Sequence, residues 1–347
     1  MRIASVASAF PPNVYTQQEI TNALKERWGD KLAKPEVLDR LHANCGVRKR
    51  HLSFTFDRYL QFKTWGESNR AWLEVAQDLG EQAIDGALKR ADLTRADLNA
   101  IFFVSITGVA SPSLDAKLVN RMGLRSDIKR TPIFGLGCVG GAIGLTRAAD
   151  YVRAYPNENA VLLSVELCSL TIQLGDVAMP NIIATGLFGD GAVATIVGPQ
   201  AGTGPEILAS KSVFYPETED IMGWDVSEKG FGIILSARLP DLIRARLRSD
   251  VDSFLASHKL SRSDLGSFVL HPGGPKILQA VEEALELKNC ELAPSWDCLA
   301  RYGNLSSGSV LIVLEEVMQR RRPVPGTLGL VMAMGPGFCS EMVLIRW

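Results

Sequence analysis

Leu93 Thr94 Arg95 Ala96 Asp97 Leu98 is matched later in the chain by Leu260 Ser261 Arg262 Ser263 Asp264 Leu265, and each segment is followed within a few residues by an apolar strand. A short echo of this kind can be chance, so duplication requires a second pair at a similar spacing. Gly137 Cys138 Val139 opens a small-residue helix through Gly141, Ala142, Leu145 and Ala148; Gly303 Asn304 Leu305 opens another through Ser307, Val310, Leu311 and Leu314. The two offsets differ by one residue. The opening strands correspond as well, since Ile3 to Pro11 and Ile207 to Pro216 each end in an aromatic residue and a proline. The chain therefore reads as one α/β plan written twice, residues 1–198 and 205–347, divided at the Gly- and Pro-rich crossover from Gly198 to Pro205. Two such halves pack with their sheets face to face and one near-apolar helix from each buried between them. The N-terminal ends of those helices then meet near the centre, at Cys138 and Asn304.

Local signals agree with this plan. Thr16 with Glu19 forms a capping box that opens a helix through Ile20, Ala23 and Leu24 towards Trp28, and a second long helix is predicted over residues 71–90, ahead of the strand Ala100 to Ile106. Composition removes several function classes. With 37 Lys and Arg against 38 Asp and Glu, a net charge of -1 in 347 residues, the chain lacks the field that non-specific nucleic-acid binding needs. Its cysteines form no C-x-x-C pair and have no histidine at metal spacing, so neither a zinc site nor a disulfide framework is expected. No apolar run approaches the roughly 20 residues of a membrane span, and Ile3 to Phe10, stopped by Pro11 and Pro12, reads as a strand and not a secretory segment. A cytoplasmic protein is expected.

The chemistry concentrates in three places. Cys138 lies in Phe134 Gly135 Leu136 Gly137 Cys138 Val139 Gly140 Gly141, a nucleophile elbow in cysteine form, where glycines permit the turn and a helix N-terminus favours the thiolate. His271 follows the strand Phe268 Val269 Leu270 and precedes Pro272 Gly273 Gly274 Pro275, at a strand end above an open loop. His42, His51 and His258 lie in polar sequence and read as solvated. Asn304 stands at the second helix start. A rival reading takes Gly135, Gly137 and Gly140 as a dinucleotide G-x-G-x-x-G with Glu166 as the ribose acid, although Pro132 Ile133 Phe134 is a poor first strand for it.

Taken together, Gly137 Cys138 Val139 Gly140 Gly141, Leu187 Phe188 Gly189 Asp190 Gly191 Ala192, His271 Pro272 Gly273 Gly274 Pro275, Tyr302 Gly303 Asn304 Leu305 Ser306 Ser307 and Gly335 Pro336 Gly337 Phe338 resemble, in order and across nearly the whole chain, the motifs of type III polyketide synthases, the chalcone-synthase-like branch of the thiolase superfamily. The resemblance implies a five-layer αβαβα thiolase-like fold and a homodimer. It implies acyl-CoA and malonyl-CoA as substrates, with no metal and no redox cofactor. Cys138 would hold the acyl chain as a thioester, and His271 with Asn304 would bind the malonyl carbonyl during decarboxylation, His271 as imidazolium also keeping the thiol ionised. Phe188 matches the family's gatekeeper. Thr107, Cys168, Thr171, Ile233 and Met334 fall on positions that line its reaction chamber, and Arg40, Gly273, Gly274 and Lys276 on the path of CoA, with Arg48, Lys49 and Arg50 as further phosphate contacts.

Where the family often has phenylalanines, this chain carries Ile233 and Met334, so a less aromatic chamber is expected; a small residue at Cys168 resembles bacterial members with a tunnel for long acyl chains. A fatty acyl starter and an alkylpyrone or alkylresorcinol product follow from that resemblance. The alternative is a β-ketoacyl carrier-protein synthase III, which usually has Gln-Ala-Asn after its histidine in place of the Pro-Gly-Gly found here.

Overall fold

The computed structural model describes residues 1–32, 34–199, 204–288 and 290–347. The crossover residues 200–203 lie outside them. Two sets of strands carry the same plan. In the first, Arg2–Ala9 pairs antiparallel with Asp190–Gly198, which pairs antiparallel with Asn159–Leu167; Leu98–Val104 and the edge strand Lys129–Ile133 follow in parallel. In the second, Glu206–Phe214 pairs antiparallel with Cys339–Arg346, then antiparallel with Leu328–Gly335, then parallel with Leu265–Leu270. The sense of every pairing repeats. Among the described residues the second half has no counterpart of the edge strand, and the two sheets join only at their corner, where Arg2 faces Glu206.

Strand alternation divides the side chains between cores. Ala100, Phe102 and Val104 face a central core, while Ile101 and Phe103 face an outer one; in the second half Val331 and Ala333 face the centre, and Leu330 and Met332 the opposite outside. The central core holds the helices Gly140–Ala154 and Gly308–Arg320 between the sheets. Helix Trp65–Ala91 covers the outer face of the first sheet, and Leu239–Ser257 with Pro275–Leu285 covers that of the second. The result is the expected five-layer αβαβα fold.

The repeated hexapeptides fold alike. Thr94 with Asp97 and Ser261 with Asp264 each close a capping box on one 3-10 turn. Arg95 then bonds Asp85 at 2.8 Å and the Met122 carbonyl, as Arg262 bonds Asp252 at 2.7 Å and the Leu285 carbonyl. Two expectations shift. The long helix starts earlier, at Trp65, behind a capping box of Thr64 and Glu67. Gly303 ends the helix Ala293–Tyr302, and the central helix of the second half begins only at Gly308 after a turn.

Candidate active site

The elbow needs its glycines. Gly137 has φ +51°, and a Cβ there would lie 2.7 Å from Pro336; a Cβ on Gly141 would lie 2.1 Å from the Ser307 carbonyl oxygen. The starts of the two central helices therefore touch, and the Cys138 thiol stands 3.8 Å from the Ser306 hydroxyl. Ser306 has φ +45°, uncommon for a residue with a side chain, and its N–H donates to Asn304 Oδ1 at 2.7 Å. The Ser309 hydroxyl also donates to that oxygen, at 3.3 Å. With its acceptor engaged twice, Asn304 presents Nδ2 towards the loop after His271, where the Gly273 carbonyl lies 3.4 Å away.

His271 is held by its backbone N–H, which donates to the Met332 carbonyl at 2.9 Å across the end of the parallel pair. Both ring nitrogens are buried without a partner among the described residues, which leaves their hydrogen-bonding capacity for a substrate. Burial pushes the imidazole down to about 3 and pushes the Cys138 thiol up to about 12, with the Glu166 carboxylate adding to the latter. Burial thus opposes the helix terminus, disfavouring both the thiolate and the imidazolium.

Glu166, which only the rival dinucleotide reading had singled out, belongs to the site. It is fully buried, accepts from the Ile106 N–H at 3.1 Å, from the Thr107 hydroxyl at 3.0 Å and from the Ser307 hydroxyl, and burial pushes it up to about 7. A carboxylate so enclosed cannot meet a ribose, and Gly140 packs against Val104 and Ser307, so the dinucleotide reading falls. Thr107 belongs to this network, also accepting from the Trp72 indole at 3.2 Å and the Leu167 N–H at 3.0 Å.

Phe188 is joined to Asn304 by a backbone bridge, with the Gly189 N–H donating to the Asn304 carbonyl at 3.0 Å. It lines a small enclosed space with Cys168, Thr171, Ile233, Trp224 and Phe231. The last two were not anticipated; both lie on the hairpin of Met222–Ser227 and Gly230–Leu235, pinned by the Trp224 indole to the Ile106 carbonyl at 3.0 Å. Met334 lies in the outer core of the second half, turned the same way as Leu330 and Met332 by strand alternation, in the cluster against which Phe188 packs.

Arg40 is exposed on the helix Pro35–Ala43, and Gly46 just beyond it lies against Pro275, beside Gly273, the buried Gly274 and the exposed Lys276. Arg48 and Lys49 are also exposed. Arg50 is not: it is 1% exposed and cannot reach a solvent-borne phosphate. His42, expected to be solvated, is buried between Thr21 at 2.9 Å and the helix Met179–Leu187, with burial and Arg50 pushing it down to about 4.

Residues 1–201 match the N-terminal domain of chalcone and stilbene synthases, and residues 206–347 their C-terminal domain. A 1,3,6,8-tetrahydroxynaphthalene synthase of Streptomyces peucetius is 48% identical over 99% of this chain and 93% of its own length. A 3,5-dihydroxyphenylacetyl-CoA synthase of Streptomyces toyocaensis is 31% identical over 100% of this chain and 90% of its own. Among solved structures, the 1,3,6,8-tetrahydroxynaphthalene synthase of Streptomyces coelicolor, described as a bacterial type III polyketide synthase, superimposes with a TM-score of 0.93 at 31% identity, covering 100% of this chain and 99% of that one. A duplicated αβαβα fold, an elbow cysteine facing the second half's helix start and these matches along the whole length agree: the chain belongs to the chalcone and stilbene synthases, the type III polyketide synthases.

Proposed function

We propose that this enzyme condenses malonyl-CoA units on Cys138 and closes the chain into a polyhydroxylated aromatic product of the tetrahydroxynaphthalene kind. The observation that carries the chemistry is the tethering of Asn304: its oxygen is engaged by the Ser306 N–H and the Ser309 hydroxyl, which turns the amide donors towards the loop that follows His271, whose ring nitrogens have no partner among the described residues. The similarity to the Streptomyces peucetius enzyme supports the product class.

Cys138 passes its proton to His271 as the sulfur attacks a CoA thioester, and the CoA thiolate takes the proton as it leaves. A second malonyl-CoA offers its carbonyl oxygen to His271 and Asn304 Nδ2. Carbon dioxide departs, and the enolate left behind is held by two donors already in place, each worth on the order of 3 kcal/mol. The enolate carbon attacks the Cys138 thioester, forming the new carbon–carbon bond and releasing the cysteine. Arg40, Lys276 and the backbone at Gly273 and Gly274 are proposed to hold CoA, and no metal or redox group takes part. A homodimer is proposed through the edge strand Lys129–Ile133, whose unpaired side is followed by the exposed Phe134.

A second reading, a long-chain acyl starter giving an alkylpyrone or alkylresorcinol, is favoured by a cavity of about 930 Å³ lined in part by Thr171 and Phe188, two of the positions that the resemblance assigns to substrate. Mass analysis with isotope-labelled malonyl-CoA, alone and with starters from acetyl-CoA to stearoyl-CoA, separates the two. Product from malonyl-CoA alone supports the first reading; products only with long starters support the second. A single condensation that needs a carrier protein overturns both.

A further inference from the structure

Asn304 donates to a carbonyl only when its amide is turned to present the nitrogen, because Nδ2 donates and Oδ1 accepts, and a half-turn of the side chain exchanges the two. Its backbone is fixed at both ends: the Asn304 N–H donates to the Leu187 carbonyl at 2.9 Å, and its carbonyl accepts from the Gly189 N–H at 3.0 Å. The direction of the side chain is set separately, by the two donors that meet Oδ1, the Ser306 N–H at 2.7 Å and the Ser309 hydroxyl at 3.3 Å. A reversed amide would set a second donor against the Ser306 N–H. It would also turn an acceptor towards the Gly273 carbonyl and the loop after His271, where it would repel the oxygen of an incoming carbonyl.

Ser309 governs both contacts to Oδ1. It is the second residue of the helix Gly308–Arg320 and is 3% exposed. The N–H groups of Leu305 and Ser306 lie ahead of that helix, where its own carbonyls cannot serve them. Ser309 reaches back to this turn: its oxygen accepts the Leu305 N–H at 2.6 Å, which leaves the hydroxyl hydrogen to point at Asn304 Oδ1. The next residue, Ser306, holds φ +45°, a conformation that costs energy in a residue with a side chain and persists where its neighbours enforce it. The bond to Leu305 is such a restraint. One hydroxyl therefore ties down the turn that carries the Ser306 N–H and supplies the second donor itself.

We infer that Ser309 is a positioning residue for the decarboxylation of malonyl-CoA, acting through Asn304 by holding its Nδ2 towards the substrate carbonyl. The inference rests on the role proposed above for Asn304. Both contacts of the Ser309 hydroxyl lie within the turn, so its removal changes how well the developing enolate is stabilised and leaves the surfaces that bind CoA as they are.

The test is steady-state measurement of carbon dioxide release from malonyl-CoA by the intact enzyme, in the wild type, Ser309→Ala, Asn304→Ala and the double variant. Ser309→Ala is expected to lower kcat about tenfold, the factor that one hydrogen bond supplies, with KM within about twofold of the wild type. On the Asn304→Ala background the same substitution should cost nothing further, because the group it orients is gone. A purely structural role would instead lower the rate in both backgrounds. Should Ser309→Ala not fold, Ser309→Cys keeps the shape with a weaker donor and acceptor, carries both comparisons, and should lower kcat about threefold. Undiminished kcat in a folded Ser309 variant while Asn304→Ala is slow, a further loss in the double variant, or a loss expressed in KM alone each overturns the inference. Undiminished release in Asn304→Ala would overturn the proposed role of Asn304, and this inference with it.

Discussion

At Gly141 the protein has no room for a methyl group, since any Cβ would press on the Ser307 carbonyl 2.1 Å away. Gly141→Ala should therefore push apart the two helix starts that bring Cys138 to Ser306. We expect a loss of about 3 kcal/mol, read as a lower denaturation midpoint, with condensation falling further than stability alone explains. Asn304→Ala should slow malonyl-CoA decarboxylation on the order of 100-fold while the Cys138 thiol still accepts an acyl group, which single-turnover acylation can follow. Glu166 gives a prediction with a definite sign. Its folded pKa of about 7 lies above the ordinary 4.5, so the native state holds the proton more tightly and stability declines as pH rises from about 4.5 to about 7. Glu166→Gln should remove that part of the decline in denaturation measured across this interval. The sequence displayed Cys138, His271 and Asn304 because each sits in a glycine-rich motif. It concealed the role of Glu166, whose surroundings come from Ile106, Thr107 and Ser307, and the burial of Arg50, whose neighbours show the chain merely a basic run.

Elements were legible where their signals were local and repeated. The capping boxes at Thr16, Thr94 and Ser261 fix where short turns and helices begin, and the arginine that follows the last two bridges back to an aspartate ten residues earlier in each half. Removing either arginine should be tolerated. Arg95→Ala and Arg262→Ala are each expected to cost about 1 kcal/mol, the partners being partly exposed, and to leave condensation unchanged; chemical denaturation and a product assay check both. The hairpin of Met222–Ser227 and Gly230–Leu235 was harder to read, because what matters is where Trp224 and Phe231 land, and that is set by a long-range bond from the indole to Ile106.

For the whole molecule, the duplication suggested two packed sheets with a near-apolar helix of each half between them, and the family resemblance supplied the five-layer arrangement. The masking of polar groups by tertiary burial was not readable. His42 lies in a polar helix, yet packing between two other helices buries it, and His271 is buried in the site; both have folded pKa values well below the usual 6.5. A depressed histidine must take up a proton on unfolding in acid, so stability should fall as pH drops from about 6.5 to about 4, by about 3 kcal/mol for His42 alone. His42→Gln should flatten that acid limb. The proposed dimer adds a prediction at this scale: sedimentation should show two chains, and Thr131→Glu on the exposed edge strand should shift the protein towards monomer.

The central claim divides labour between a cysteine that holds the growing chain and a histidine–asparagine pair that removes carbon dioxide. The most direct test measures carbon dioxide release and polyketide formation together, from labelled malonyl-CoA, in the wild type, Cys138→Ala and Asn304→Ala. The account predicts that Cys138→Ala still releases carbon dioxide but makes no polyketide, whereas Asn304→Ala loses both. Polyketide made without Cys138, or carbon dioxide release undiminished without Asn304, would contradict it.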